Sequence, residues 1–203
     1  MKISKTLIAA AFAAAVPLTA LAAPTVGQPA PAFTGTDMHG KAVSLADLKG
    51  KYVVLEWHNQ GCPFVVKHYE SGNMQKLQKE LTGQGAAWIT VISSAPGKQG
   101  HVTAAEEEAY LKAQNATPTD VVFDEDGKIG QAYGAKTTPH MFVIDDKGTL
   151  VYAGAIDDKA STDKADVAGA TNYVQAAYTE AKSGQPVKTP STAPYGCSVK
   201  YSN

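Results

Sequence analysis

The chain has 203 residues, 44% of them hydrophobic and 18% charged, which is the composition of an ordinary soluble globular domain long enough to build one well-buried core. Its formal net charge is −1, with no long run of either sign. That excludes the basic footprint of a nucleic-acid binder and the polybasic patch of a membrane-surface protein, and it leaves small molecules or proteins as the expected partners.

The first residues, MKISKTLIAAAFAAAVPLTALAAP, place Lys2 and Lys5 before an alanine-rich apolar stretch ending in Ala20-Leu21-Ala22. This is the layout of a secretory signal peptide, so residues 1–22 are predicted to be removed and the mature chain to start at Ala23. The apolar run is shorter than the roughly 20 residues that span a bilayer, and Pro17 interrupts it. A periplasmic, exported protein without a membrane anchor is expected. In an oxidising compartment its two cysteines, Cys62 and Cys197, are candidates for a disulfide with a single connectivity.

Residues 33–46 read as a hairpin turning at DMHG, followed by a short helical turn, ADLK, capped by Ser44 and stopped at Gly50. YVVLEW is apolar throughout except for Glu56, the pattern of a strand buried on both faces. From Pro63 to about Leu81, apolar residues recur at three- and four-residue steps, which predicts one helix with a bend at Ser71-Gly72-Asn73. AAWITVISS is the next strand, and TAAE opens a helix over Thr103–Lys112 with a capping box. Within that helix the acidic run Glu106–Glu108 reads as a solvated face.

DVVFDEDG predicts a strand and turn, residues 128–134 a short helix, and TTPHMFVIDDKGTLVYAGAI two antiparallel strands joined at Asp146-Lys147-Gly148. A last helix is expected over about Val167–Lys182. The Pro- and Ser/Thr-rich tail, 184–203, carries Cys197 and is expected to run extended and flexible over the surface. Strands alternating with helices predict an α/β fold, a central mixed sheet covered on both faces.

These residues resemble the thioredoxin-like superfamily, in its exported redoxin or peroxiredoxin-like branch. GQPAPAFTGTDMHGKAVSLADLKGKYVVLEW is similar to the N-terminal signature of redoxins, and KTTPHMFVID to the family's cis-proline loop, with Pro139 after Thr138. The resemblance implies one thioredoxin-like domain over 23–183, with the hairpin as an N-terminal extension. The family places a buried acid six residues before the first cysteine of its C-x-x-C pair, and here Glu56 stands six residues before Cys62. Val65 occupies the position of the second cysteine.

Cys62 at a helix N-terminus, followed by Pro63, is placed where free N–H groups favour a thiolate by roughly 0.3–1 kcal/mol. The thiolate is the attacking species in thiol–disulfide exchange, so Cys62 is the candidate nucleophile and Cys197 the candidate resolving cysteine. A permanent Cys62–Cys197 staple remains the alternative, since closing so long a loop stabilises a fold by about 4–5 kcal/mol in the chain-entropy model. Burial of Glu56 is expected to raise its pKa and suit it to moving protons. The resemblance further implies that Thr138, Pro139, Pro63 and His58 border the substrate.

His58, His68 and His140 raise a metal reading beside Cys62. On the predicted helix, however, His68 lies about 240° around the axis from Cys62, and Val66 stands where copper-delivery relatives have a second cysteine. No metal or cofactor is expected. Three functions stay open: thiol–disulfide exchange with protein or small-molecule thiols, peroxide reduction, and a non-enzymatic module with a structural disulfide. Peroxiredoxins use an arginine beside the attacking thiolate, and all 18 residues in the Lys+Arg count of this chain are lysine.

Overall fold

The structure, a computed structural model, describes residues 23–202; the predicted signal segment 1–22 lies outside the described residues. Nine strands form in chain order: β1 Thr34–Asp37, β2 Ala42–Ser44, β3 Val53–Trp57, β4 Ala87–Ile92, β5 Asp120–Phe123, β6 Thr137–Thr138, β7 His140–Ile144, β8 Leu150–Gly154 and β9 Cys197–Ser198. The five α-helices are α1 Pro63–Glu70, α2 Asn73–Gly83, α3 Ala104–Gln114, α4 Lys128–Tyr133 and α5 Tyr173–Lys182. Seven strands make one sheet in the order β2-β1-β5-β4-β3-β7-β8, and β6 pairs with β9 apart from it. Strands β3, β4 and β5 run parallel to their neighbours in that group, and the remaining pairings are antiparallel. This is the mixed sheet that the alternation of elements predicts.

Strand β3 is central because all five of its residues are buried. Its neighbours hold it in register, with Leu55 opposite Ile89 of β4 and Phe142 of β7. On one face Val54, Trp88 and Val143 pack with α1, α2 and α5 through Val65, Tyr69, Leu77, Val174 and Tyr178. On the other, Leu55, Trp57 and Ile89 pack with Ile129 and Tyr133 of α4 and with Phe33 and Val43 of the N-terminal hairpin. Both faces being covered explains why this strand lacks the apolar/polar alternation of a half-exposed one. Among the described residues no helix is long and apolar enough to cross a membrane.

Several elements depart from the sequence expectations. The single helix predicted from Pro63 to Leu81 is two helices, broken where Gly72 takes φ +75°, a conformation glycine reaches without steric cost. The predicted Val167–Lys182 helix is likewise split. Residues Lys164–Gly169 form a 3-10 turn, and α5 starts afresh at Asn172, whose side chain accepts from the Gln175 N–H at 2.9 Å. The Glu106–Glu108 run is not a uniformly solvated face, because Glu107 is fully buried.

The tail is extended, as expected, but it is built into the body instead of running loose over it. Thr192 N–H donates to the Ala153 carbonyl at 3.2 Å, and the Thr192 hydroxyl accepts from Ala155 N–H at 2.9 Å. This passage depends on Gly154, where an added Cβ would collide with the backbone and side chain of Thr192. Replacing Gly154→Ala is expected to lower stability by about 1–3 kcal/mol through overpacking, read as a shift in the urea unfolding midpoint. An unchanged midpoint would show that the tail is not held there.

Candidate active site

The strand-to-helix turn after β3 positions Cys62. Asn59 organises the turn: its carbonyl accepts from Cys62 N–H at 3.0 Å, its side-chain oxygen accepts from Gly61 N–H at 2.9 Å, and its amide donates to the Gln99 side chain at 2.8 Å. Cys62 is the N-cap of α1, in extended conformation, and Pro63 takes the first helical position, where no N–H is needed. The opposite wall is the loop leading into β7, where the Thr138–Pro139 peptide bond is cis, as the resemblance implies.

Strand β9 lies antiparallel on β6, with Cys197 opposite Thr138 and Ser198 opposite Thr137. That register brings the two cysteines together as free thiols, the Cys62 Sγ 2.8 Å from the Cys197 Sγ and 3.0 Å from the Thr138 carbonyl oxygen. Cys62 is wholly buried and Cys197 partly exposed. Burial alone pushes the Cys62 thiol up, but hydrogen bonds from the Cys197 thiol and the backbone N–H groups of Val65 and Cys197 outweigh it, and the net shift is downward. Cys197 moves the other way. Burial and then the neighbouring Cys62 sulfur push it up to about 11. The reduced pair is therefore asymmetric, with Cys62 the more readily ionised member.

A compact set of buried ionisable groups surrounds Glu56, which is buried as its spacing predicts. Its carboxylate accepts from the Tyr69 hydroxyl and the Trp88 indole N–H, each at 2.9 Å, and more weakly from Thr90 at 3.4 Å. His58, expected at the substrate surface, is instead 1% exposed. Its Nδ1 lies 3.4 Å from Glu56 and its Nε2 3.8 Å from Glu107. Directly after β3, His58 lies in the interior beside Glu56. Burial opposes the charged ring, but Glu56, Glu107 and the Cys62 charge together raise its pKa. Burial also raises Glu107, partly offset by His58. The sequence hid Glu107 inside an acidic run, and only its helical spacing from Tyr110, whose ring contacts His58, hints that the two share a face.

Other expected site residues are placed as follows. Thr138 and Pro139 are buried under the tail, while Pro63 is exposed. His68 points away from Cys62, as its spacing predicts, with Nδ1 2.9 Å from the Asn73 amide and Nε2 3.2 Å from the Tyr195 hydroxyl. Burial lowers its pKa to about 4, keeping the ring neutral. His140 is occupied by Lys136, whose N–H donates to Nδ1 at 3.2 Å. Tyr195, which the sequence did not single out, anchors the tail beside Cys197: its hydroxyl donates to Asp157, its ring packs on Phe64, and the Lys67 ammonium sits 5.8 Å from the ring centre.

Two titrations check these electrostatics. Thiolate absorbance of the reduced protein is expected to resolve Cys62 below the ordinary free-thiol value and Cys197 near 11; Cys197→Ala should raise Cys62 by removing a donor. NMR titration of His58 is expected to show a raised pKa that falls in Glu107→Gln. The stability contributed by the charged ring is then fully present below about pH 6.5, the unfolded value, and lost as pH rises through the folded one.

Comparison with known proteins matches residues 26–153 to the AhpC/TSA family. The thiol-disulfide oxidoreductase ResA of Bacillus anthracis is 30% identical over 129 residues, covering 62% of this chain and 67% of its own. Among solved structures, a hypothetical protein from Sinorhizobium meliloti 1021 superposes with a TM-score of 0.72 at 26% identity, over 89% of this chain and 97% of the other. The thioredoxin domain of a thiol-disulfide oxidoreductase from Bacteroides vulgatus gives a TM-score of 0.51 at 25% identity, over 64% of this chain and 89% of that one. The family match ends before α5 and the tail, so Cys197 lies outside it. Within that match stand the hairpin, the Cys62 turn and the cis-proline loop, and the chain belongs to the AhpC/TSA family, with a thioredoxin-like fold.

Proposed function

We propose that this protein is an exported thiol-disulfide oxidoreductase whose working pair is Cys62 and Cys197, acting on protein or small-molecule thiols and disulfides. The observation that carries the reading is the contact of the two sulfurs at 2.8 Å across the β6–β9 pairing, beside the cis Pro139. Closing the pair as a disulfide removes two electrons and two protons, and opening it returns them. The asymmetry of the two thiols supports cycling, because a low-pKa sulfur both attacks and departs readily. The relatives named as thiol-disulfide oxidoreductases support the same class of reaction.

The buried acids take a supporting part. The Cys62 charge is one of the influences on His58, so the protonation of His58 responds to the state of the sulfur. Glu56 touches neither cysteine through a hydrogen bond and acts as a positioning residue, orienting His58 and Tyr69. Peroxide reduction gains no support at the site, where no arginine is available and Cys62 is covered by the tail.

Equilibration of the protein with graded thiol–disulfide buffers, followed by alkylation and mass measurement, tests the reading. A single Cys62–Cys197 bond with a reduction potential above about −300 mV is expected; a potential well below it identifies a permanent staple. For export, N-terminal sequencing of the protein from the producing cell is expected to start at Ala23, and recovery of Lys2 in the mature protein would refute it.

A further inference from the structure

We infer that substrates meet this protein at Cys197 and not at Cys62: the mixed disulfide forms on the tail cysteine, while Cys62 works from beneath as the internal thiolate that departs from Cys197 or attacks it. This rests on the reading of the two cysteines as a redox pair, and it assigns the order in which they act. The sequence comparison by position points the opposite way, since Cys62 holds the family's first-cysteine place.

Exchange at sulfur needs open space for the incoming group. Cys62 offers none, being 0% exposed and packed among Val65, Tyr69 and Met141 with the tail above it. Cys197 is partly exposed, next to the exposed Ser198.

Uncovering Cys62 would require the tail to leave, and the tail is fastened on both sides of Cys197. Upstream, Thr192 is bonded to Ala153 and Ala155 and touches the Tyr152 hydroxyl at 2.7 Å, and Tyr195 is bonded to Asp157. Downstream, Val199 N–H donates to the Lys136 carbonyl at 3.0 Å, Ala95 N–H donates to the Lys200 carbonyl at 2.9 Å, and the Tyr201 hydroxyl donates to the Ala135 carbonyl at 2.8 Å. Between these anchors Gly196 takes φ +140°, and an added Cβ there would strike the Thr138 carbonyl and the Pro139 nitrogen. Glycine at 196 is what lets the backbone pass closely enough to set Cys197 on Cys62. A segment shaped this closely to its bed is a fixed part of the site.

The chemistry has matching polarity. In the oxidised protein an incoming thiolate forms a bond to the Cys197 sulfur as the Cys62–Cys197 bond breaks, and the electron pair departs on Cys62. Cys62 is the sulfur whose charge the surrounding donors favour, which makes it the better leaving group. When the substrate is a dithiol, its second thiolate attacks the substrate sulfur of the mixed disulfide. The substrate disulfide leaves, and Cys197 takes a proton from water. Two electrons pass from the substrate to the protein, and a disulfide of a partner protein or small molecule reoxidises the pair by the same steps in reverse. There Cys197 attacks the incoming disulfide, and Cys62 then attacks Cys197 and expels the second sulfur.

Single variants Cys62→Ser and Cys197→Ser of the mature chain, incubated reduced with oxidised glutathione, separate the two orders. Mass spectrometry is expected to show glutathione on Cys197 of the first variant at least about tenfold faster than on Cys62 of the second, with the difference vanishing in guanidinium chloride, where burial no longer acts. Adding Gly196→Ala to the Cys197→Ser protein should loosen the tail and speed modification of Cys62. Equal or faster modification of native Cys62 overturns the order while leaving the redox pair intact. A wild-type pair that neither closes nor reopens in redox buffer overturns the pair itself, and the order with it.

Discussion

The site depends on two residues' worth of main-chain pairing. With Val65 where a local partner would stand, Cys62 has no second sulfur on its own helix, and the sulfur beside it comes from the far end of the chain. The pairing of Thr138 with Cys197 brings it there. Because cross-strand neighbours in an antiparallel pair stand about 4.5–5.5 Å apart at their Cα atoms, fixing that register fixes where the Cys197 side chain falls. The anchors at Thr192, Tyr195, Val199 and Tyr201 follow from the same requirement. A two-residue strand cannot hold itself in place, so its flanks must.

Behind the sulfurs the interior holds more charge than a core of this size usually accepts. Glu56, His58 and Glu107 are all essentially inaccessible, and a buried carboxylate without partners carries a heavy desolvation cost. Glu56 meets that cost through Tyr69, Trp88 and Thr90, but Glu107 has only the distant His58 ring facing it. A buried ionic group that is incompletely satisfied is weak as a source of stability. The place of His58 beside Cys62 ties its charge to that of the neighbouring sulfur.

The two ends of the molecule contribute differently to this arrangement. The segment matched to the AhpC/TSA family supplies the sheet, the Cys62 turn and the cis-proline loop. The residues after it supply α5, which closes one face, and the tail, which covers Cys62. Cys62 is thereby covered, and the partly exposed cysteine is the one on the added segment.

Much of the fold was legible from sequence because it rests on local patterns: the continuous apolar run of β3, the capping box at Thr103, the Asp146–Gly148 turn, and the proline after Cys62. Cys62, Glu56 and Pro139 could be placed because their stretches resemble the thioredoxin-like pattern. The interruption at Gly72 was legible as a bend but not as a full break, and the one before Asn172 was missed, because apolar periodicity carries across a short interruption, whereas backbone conformation does not. Glu107 was misplaced because a charged residue reads as solvated until a tertiary neighbour takes it in. The sequence by itself determined which residues are candidates for the chemistry, since residue type and short-range spacing mark a cysteine at a helix start and a carboxylate in an apolar strand. Only the tertiary structure decided that Cys197 reaches Cys62, and which of the two cysteines stays partly exposed, because contact and exposure between distant segments depend on how the chain packs.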